Sequence, residues 1–139
     1  MTEKFEEVNI SELIGKTLFR IERRQIFYSL HHKKDDELYF YTTDKEVYRM
    51  SHEQDCCENV YIEDIAGDLE DLVGEPILSA SEESNEQANP DRDDWEESDM
   101  KWTFYKLATI KGYVDIRWFG ESNGYYSIVV EFMKRLPNS

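Results

Sequence analysis

The sequence predicts an α+β fold: a mostly antiparallel, twisted sheet with two short helices and a mobile acidic loop. Three observations lead there. Apolar and polar residues alternate with period two along several stretches, which marks half-buried strands. Two short apolar clusters with helical spacing each end on a glycine. One stretch, Glu82 to Asp99, holds nine acids and almost no aliphatic side chain. It cannot bury enough surface to offset its ordering entropy, so it reads as a mobile loop.

The elements follow in chain order. Val8 to Gly15 reads as a short helix, capped by Asn9 or Ser11, with Ile10, Leu13 and Ile14 as its stripe and Gly15 as its stop. Lys16 to Arg23 alternates as a strand, and Gln25 to Leu30 continues the sheet after a bend. His31 to Asp36 is a polar turn. Glu37 to Thr42 and Glu46 to Met50 flank Thr43-Asp44-Lys45, so 37–50 is a hairpin. Val60 to Ile65 fits either a strand or a helix entry. Gly67 to Val73 is the second short helix, with Leu69, Leu72 and Val73 inward and Gly74 as its stop. Ile77 to Ala80 is extended, and only Trp95 in the acidic loop is suited to docking. Lys101 to Ile110 is an aromatic strand. Tyr113 to Phe119 presents Val114, Ile116 and Trp118 on one face. Asn123-Gly124 signals a hairpin turn, with Tyr126, Ile128, Val130 and Phe132 on the returning strand and a frayed tail from Lys134. Neither a repeat nor a linker divides the 139 residues, so the whole chain reads as one domain.

Charge sorts the function classes. The chain carries 31 acids against 16 bases, a formal net charge of −15. Such a chain repels phosphate backbones and anionic membrane surfaces, which disfavours direct nucleic-acid binding and favours a basic protein partner. The plainer alternative is that acidity only keeps the protein soluble. No apolar run approaches the roughly 20 residues that span a bilayer. Met1 to Glu7 is acidic, unlike a signal peptide, so the expected location is the cytoplasm. Aromatics make up 14% of the residues, enough to supply a core. The sequence sets no oligomeric state.

Three constellations could carry chemistry. His52-Glu53-Gln54-Asp55-Cys56-Cys57-Glu58 holds the only two cysteines. Adjacent cysteines rarely bridge each other, so free thiols or metal ligands are expected. His52, Cys56, Cys57 and Asp55 are candidate zinc ligands, since a tetrahedral site needs four N, S or O donors. A buried thiol pair beside an exposed histidine is the competing reading. Cysteine catalysis is disfavoured, because the surrounding acids raise a thiol pKa and nothing marks an oxyanion hole. The acids from Glu63 to Asp71 do not match a calcium loop and suit a helix start. The aromatics of Arg117 to Tyr126 fit core and hairpin packing, or alternatively a partner hot spot.

Three stretches together carry a resemblance: His52-Glu-Gln-Asp-Cys-Cys-Glu-Asn-Val-Tyr-Ile-Glu-Asp, Gly67-Asp-Leu-Glu-Asp-Leu-Val-Gly-Glu-Pro, and Trp102-Thr-Phe-Tyr with Ile116-Arg-Trp-Phe-Gly-Glu-Ser-Asn-Gly-Tyr-Tyr-Ser. In that order they resemble a family of small uncharacterised proteins carried by bacteriophages, prophages and plasmids. Some small acidic phage proteins of similar appearance are type II anti-CRISPR proteins, one zinc-bearing member included. The resemblance implies a non-enzymatic inhibitor, acting in the bacterial host cell during infection, whose partner is a Cas9-type nuclease. That nuclease class holds its nucleic acids in a basic channel. The resemblance also groups His52, Cys56 and Cys57 at a structural zinc, with the fourth ligand open. The contacts expected for the partner are Glu82, Glu83, Asp93, Asp94, Glu96 and Glu97. The alternatives from other classes are a zinc- or thiol-dependent counter-defence enzyme and a host-takeover module that binds another basic protein.

Overall fold

The computed structural model describes residues 3–28, 33–55, 57–88, 99–122 and 126–137. These residues form nine antiparallel strands in two sheets: β1 (Phe5–Glu7), β2 (Leu18–Tyr28), β3 (Lys33–Thr42), β4 (Val47–Ser51), β5 (Asn59–Ala66), β6 (Ser79–Ala88), β7 (Asp99–Thr109), β8 (Gly112–Ser122) and β9 (Glu131–Arg135). The first sheet has the order β1-β9-β4-β3-β2 and the second β5-β8-β7-β6. The two short helices are single 3-10 turns, Ile10–Leu13 and Leu69–Leu72. Asn9 caps the first through its side chain, which accepts from Ser11 N–H at 2.9 Å, and Asp68 caps the second in the same way, from Glu70 N–H at 3.0 Å. Gly15 and Gly74 follow them at positive φ, the left-handed backbone that glycine adopts without a steric cost.

The inward faces are those that the alternation predicts. Leu38 and Phe40 of β3, and Val114, Ile116 and Trp118 of β8, are all fully buried. They meet in one core between the sheets, which Ile10, Leu13 and Leu72 of the 3-10 turns help to close. Trp118 Nε1–H points across to the Met50 sulfur of the other sheet at 3.1 Å. Phe132 stacks on Tyr48 at 5.6 Å and meets Phe40 edge-on at 5.9 Å.

Several expectations are corrected. β2 runs from Leu18 to Tyr28 with no break at Arg24, its one irregularity lying between Leu18 and Arg20. Lys33 to Asp36 is strand rather than turn, because it pairs with Gln25 to Tyr28. The acidic segment is not a loop up to Ala88: β6 pairs with β7 from Ser79↔Ala108 to Ala88↔Asp99. An edge strand need not bury its side chains, and charge on an edge blocks unwanted pairing. Bases on β7 offset part of the acidity, Lys101 meeting Glu86 at 3.3 Å and Lys106 meeting Glu83 at 3.4 Å. Residues 89–98, Trp95 among them, lie outside the described residues. Asn123 and Gly124 lie outside them too, and the segment that returns does not pair with β8. β9 pairs with β4 and β1 in the other sheet. Gly120 permits the crossing, for a β-carbon there would stand 3.0 Å from the Ile128 β-carbon. Lys134 and Arg135, expected to fray, belong to β9.

Two polar tethers fix the strands, and the first of them joins the two sheets. Asp36 is 2% exposed. Its carboxylate accepts from Ile62 N–H of β5 at 2.8 Å, from Gln25 Nε2 at 2.8 Å and from Arg23 at 3.3 Å. The second lies within the first sheet, at the β3–β4 turn, where Glu46 holds Lys134 of β9 at 2.5 Å and also holds Lys16, next to β2.

Both tethers can be tested. Asp36→Ala removes the acceptor from a buried N–H and from an arginine, and should cost about 3 kcal/mol in urea unfolding. Asp36→Asn, which keeps one oxygen, should lose less. A loss below about 1 kcal/mol for the alanine variant would show that apolar packing alone holds the sheets. The second test concerns pH. Lys134 first, and Lys16 second, hold the Glu46 carboxyl below its ordinary value of 4.5. This contribution is complete above the unfolded-state pKa and is lost as pH falls through the depressed folded value. Glu46 likewise raises Lys134, and Asp44 first with Glu46 second raises Lys16; the share of both lysines is complete below the ordinary lysine value and is lost only as pH rises through the raised ones. Glu46→Gln should therefore flatten the acid limb of stability against pH, read from thermal melts between about pH 3 and about pH 7.

Candidate functional site

After Ser51 the chain turns through residues 52–58 before β5 begins. The turn is polar, so burial of apolar surface cannot hold it. Glu58 holds it instead. The Glu58 side chain is fully buried. Its Oε2 accepts from Asp55 N–H at 3.0 Å and faces His52 Nε2 at 2.9 Å, and its Oε1 accepts from Gln54 Nε2 at 3.0 Å. A buried carboxylate is tolerable only when saturated in this way. The His52 side chain is 4% exposed. Its Nδ1 lies 2.8 Å from Val129 O. A carbonyl only accepts, so Nδ1 carries the proton and donates it. With both nitrogens committed, the ring is a strut between the turn and the segment that leads into β9.

Two clefts open on either side of this strut. One, of about 360 Å³, is walled by Gln54, Asp55, Glu58 and Ser127. The other, of about 420 Å³, is walled by Glu3, Phe5, Glu37 and Arg49, and the two share His52, Glu53 and Glu131. Together they gather six carboxylates, Glu3, Glu37, Glu53, Asp55, Glu58 and Glu131, against the cation Arg49 and the His52 ring. Strand register explains part of the gathering: Ser51 is the cross-strand partner of both Glu37 and Glu131, so the two acids flank it in one row. Arg49 lies over the Phe5 ring at 4.0 Å. A concave, acid-lined surface of this kind suits a cationic group from a partner.

The predicted metal residues meet only in part. His52, Asp55 and Cys57 share the turn, but Asp55 serves Glu58 through its backbone N–H. Cys57 is disulfide-bonded, so the expectation of a free thiol fails for it. Cys56, the one other cysteine of the chain, lies outside the described residues. Among the described residues no group of three or more His, Cys, Asp and Glu side chains is placed to hold a metal ion. As the side chains stand they do not fit tetrahedral zinc: both His52 nitrogens are taken and Cys57 offers no thiolate.

The predicted partner contacts divide as well. Glu82 and Glu83 are exposed on the edge strand β6. Glu82 accepts from the hydroxyl of buried Tyr105 at 3.2 Å, and burial together with Glu82 pushes that phenol well above its ordinary pKa. Asp93, Asp94, Glu96 and Glu97 lie outside the described residues. The acids from Glu63 to Asp71 include the cap and first turn of a 3-10 turn, as their helix-start reading expects. Trp118 is core, whereas Phe119 packs against Trp102 at 5.1 Å and Tyr61 at 5.9 Å on the opposite face of its sheet. Of the six carboxylates sequence reasoning singles out only Asp55 and misses Glu3, Glu37, Glu53, Glu58 and Glu131. Glu53 and Glu58 carry a local signal, one and six residues after His52; Glu37 and Glu131 arrive from β3 and β9, and Glu3 from just before β1.

If the strut is structural, His52→Ala should loosen the fold by about 3 kcal/mol, since it leaves a buried carboxylate short of a partner. Chemical unfolding reads the loss directly, and an unchanged midpoint would remove the strut.

No curated protein and no solved structure matches this chain. Among the described residues no helix is long and apolar enough to cross a membrane. One protein-family profile matches residues 11–132, from the first 3-10 turn to β9. The chain therefore belongs to the family described as Domain of unknown function (DUF7448).

Proposed function

We propose that this protein is an acidic binding module that engages a basic, nucleic-acid-handling protein. The target class is a Cas9-type nuclease of a bacterial host, and the mode is occlusion of nucleic-acid loading or of a domain movement, without chemistry. The observation that carries the reading is the pair of joined clefts with six carboxylates, on a chain of net charge −15. Exposed Glu82 and Glu83 on β6 extend the same sign of charge. The double commitment of His52 favours binding over acid–base work, since a general base needs a free nitrogen within reach of substrate. A structural zinc belongs, on this reading, to the reduced chain alone, in which the Cys57 thiolate is released into the turn that holds His52.

A second reading has one observation in its favour. Cys57 lies in the same short turn as a buried histidine–carboxylate pair, as a thiol-dependent counter-defence enzyme would require.

Charge reversal at Glu37, Glu53 and Glu131 separates the two. The triple lysine variant should bind a purified Cas9-type nuclease at least about tenfold more weakly at low salt, with a shallower salt dependence. Equal binding by parent and variant at every salt concentration would remove the cleft as the interface. A Cys57→Ser variant that inhibits as well as the parent argues against thiol chemistry. Elemental analysis of reduced and oxidised protein tests the metal, with zinc expected only in the reduced sample.

A further inference from the structure

Among the described residues six large apolar side chains are exposed; Phe19 stands on β2 and Val129 at the cleft. The other four, Ile14 (49% exposed), Leu78 (62%), Ile110 (78%) and Tyr113 (81%), come from three separate parts of the chain. Backbone hydrogen bonds bring these parts together. Gly15 N–H donates to Ile77 O at 2.8 Å, which sets Ile14 beside Leu78 in the chain path. Leu78 N–H donates to Ala108 O at 2.8 Å. Ala108 is the cross-strand partner of Tyr113, and Ile110 stands in the two-residue turn between them. Single exposed apolar residues are ordinary; several gathered at one end mark an interaction surface.

This end is also rigid. Lys111 Nζ donates to Val73 O at 2.6 Å and to Glu70 O at 3.4 Å, and Thr109 Oγ1 donates to Asp71 O. Gly67, at φ +98, lets the backbone of Tyr113 approach so closely that a β-carbon there would overlap its carbonyl oxygen. The exposed groups are thus presented on backbone already fixed, which lowers the entropy lost on docking. The acidic clefts lie at the other end of the second sheet. Asn59, where β5 leaves the cleft turn, pairs with Glu121, whereas Ala66 pairs with Asp115 near Tyr113. At roughly 3.3 Å per residue these ends are roughly 20–25 Å apart.

Charge selects the occupant. Glu12, Glu75 and Asp115 stand two or three residues from the apolar positions, and Glu70 supplies a carbonyl that anchors Lys111; of the two bases as near, Lys16 is paired with Asp44 and Glu46, and Lys111 is turned back onto the Val73 and Glu70 carbonyls. A second copy would bring the same acidic rim against this one, on chains that each carry −15. A protein surface with an apolar centre and a rim of lysine and arginine fits both features. We propose that this end is the anchoring surface of the complex: an apolar patch on the basic partner packs against Ile14, Leu78, Ile110 and Tyr113, while the acidic clefts steer the encounter. The proposal rests on the reading that the partner is a basic protein, and it assigns the residence time of the complex to a face that charge alone would not indicate.

Binding kinetics with a purified Cas9-type nuclease as probe test it, on the parent, on Leu78→Ser/Ile110→Ser/Tyr113→Ser, and on the cleft charge-reversal variant. The side chains are exposed, so the serine variant should melt with the parent, and Ile110→Ser alone serves if it does not. The serine variant is expected to dissociate about tenfold faster with little change in association rate, and the charge-reversal variant to associate more slowly. An unchanged dissociation rate in a folded serine variant overturns the anchoring surface and leaves the basic-partner reading in place. Failure of the parent to bind the nuclease overturns that reading, and this occupant with it. Sedimentation equilibrium supplies the remaining outcome: a parent dimer that the serine variant abolishes makes a second copy the occupant and overturns the proposal.

Discussion

The two sheets meet around a single carboxylate. β5 is an edge strand, so a backbone N–H on its free side has no neighbouring strand to receive it, and at Ile62 that position is buried. Asp36 supplies the missing acceptor from β3 of the other sheet, while Gln25 of β2 donates to it and Arg23 of β2 balances its charge. Three strands therefore converge on two oxygen atoms. The register of β5 on β8 slips directly after Ile62, between Ile62 and Asp64. A bulge of this kind bends a strand and re-aims its backbone. The apolar core could tolerate small sliding of one sheet over the other, because dispersion and burial are not directional. A buried hydrogen-bonded carboxylate cannot, and it fixes β5 of one sheet against β2 and β3 of the other.

The same economy governs the charges. Much of the positive charge is spent inside the molecule. Arg24 lies over Tyr39 at 4.0 Å and Arg20 over Tyr41 at 5.4 Å, with Glu22 bridging the two guanidinium groups. Lys16 and Lys134 share Glu46. Cation–π and ion-pair contacts of this kind stabilise only modestly at exposed positions, yet they decide which sign faces outward. With these bases occupied, the acids of the clefts and of β6 set the outward field. Net charge of this size works against compactness by self-repulsion, and the pairing of bases on the outer strands relieves part of it.

The cleft and the apolar end are complementary features of one architecture. Both are sheet ends, where turns replace strands and side chains are released from cross-strand packing. At one end the turn is long and polar, and a buried histidine–glutamate pair must organise it. At the other the β7–β8 turn is two residues long and bound down by lysine and threonine side chains, so exposed apolar groups can stand on a fixed frame. Long-range attraction suits the first and short-range packing the second. On the reading proposed above, the former serves encounter and the latter residence.

Much of the fold is legible in the amino-acid sequence by itself. Period-two patterning identifies the buried faces of β3 and β8, because strand alternation is a local property of the backbone. Gly15 and Gly74 mark the ends of the two short turns, because a left-handed backbone there asks for a residue without a β-carbon. The β3–β4 hairpin follows from a short turn between two such stretches. What the sequence does not determine is which strand neighbours which. Val130 and Phe132 face inward as predicted, but Phe132 does so in the other sheet, beside Tyr48 and Phe40 instead of β8. The acidic residues 82–88 form a strand because β7 offers them a backbone to pair with, which no composition reveals. The cleft is the clearest case: Glu37, Glu131 and His52 lie far apart along the chain and converge only through the pairing of β3, β4 and β9. Local chemistry decides what each segment is; the non-local hydrogen bonds between strands decide where its side chains meet.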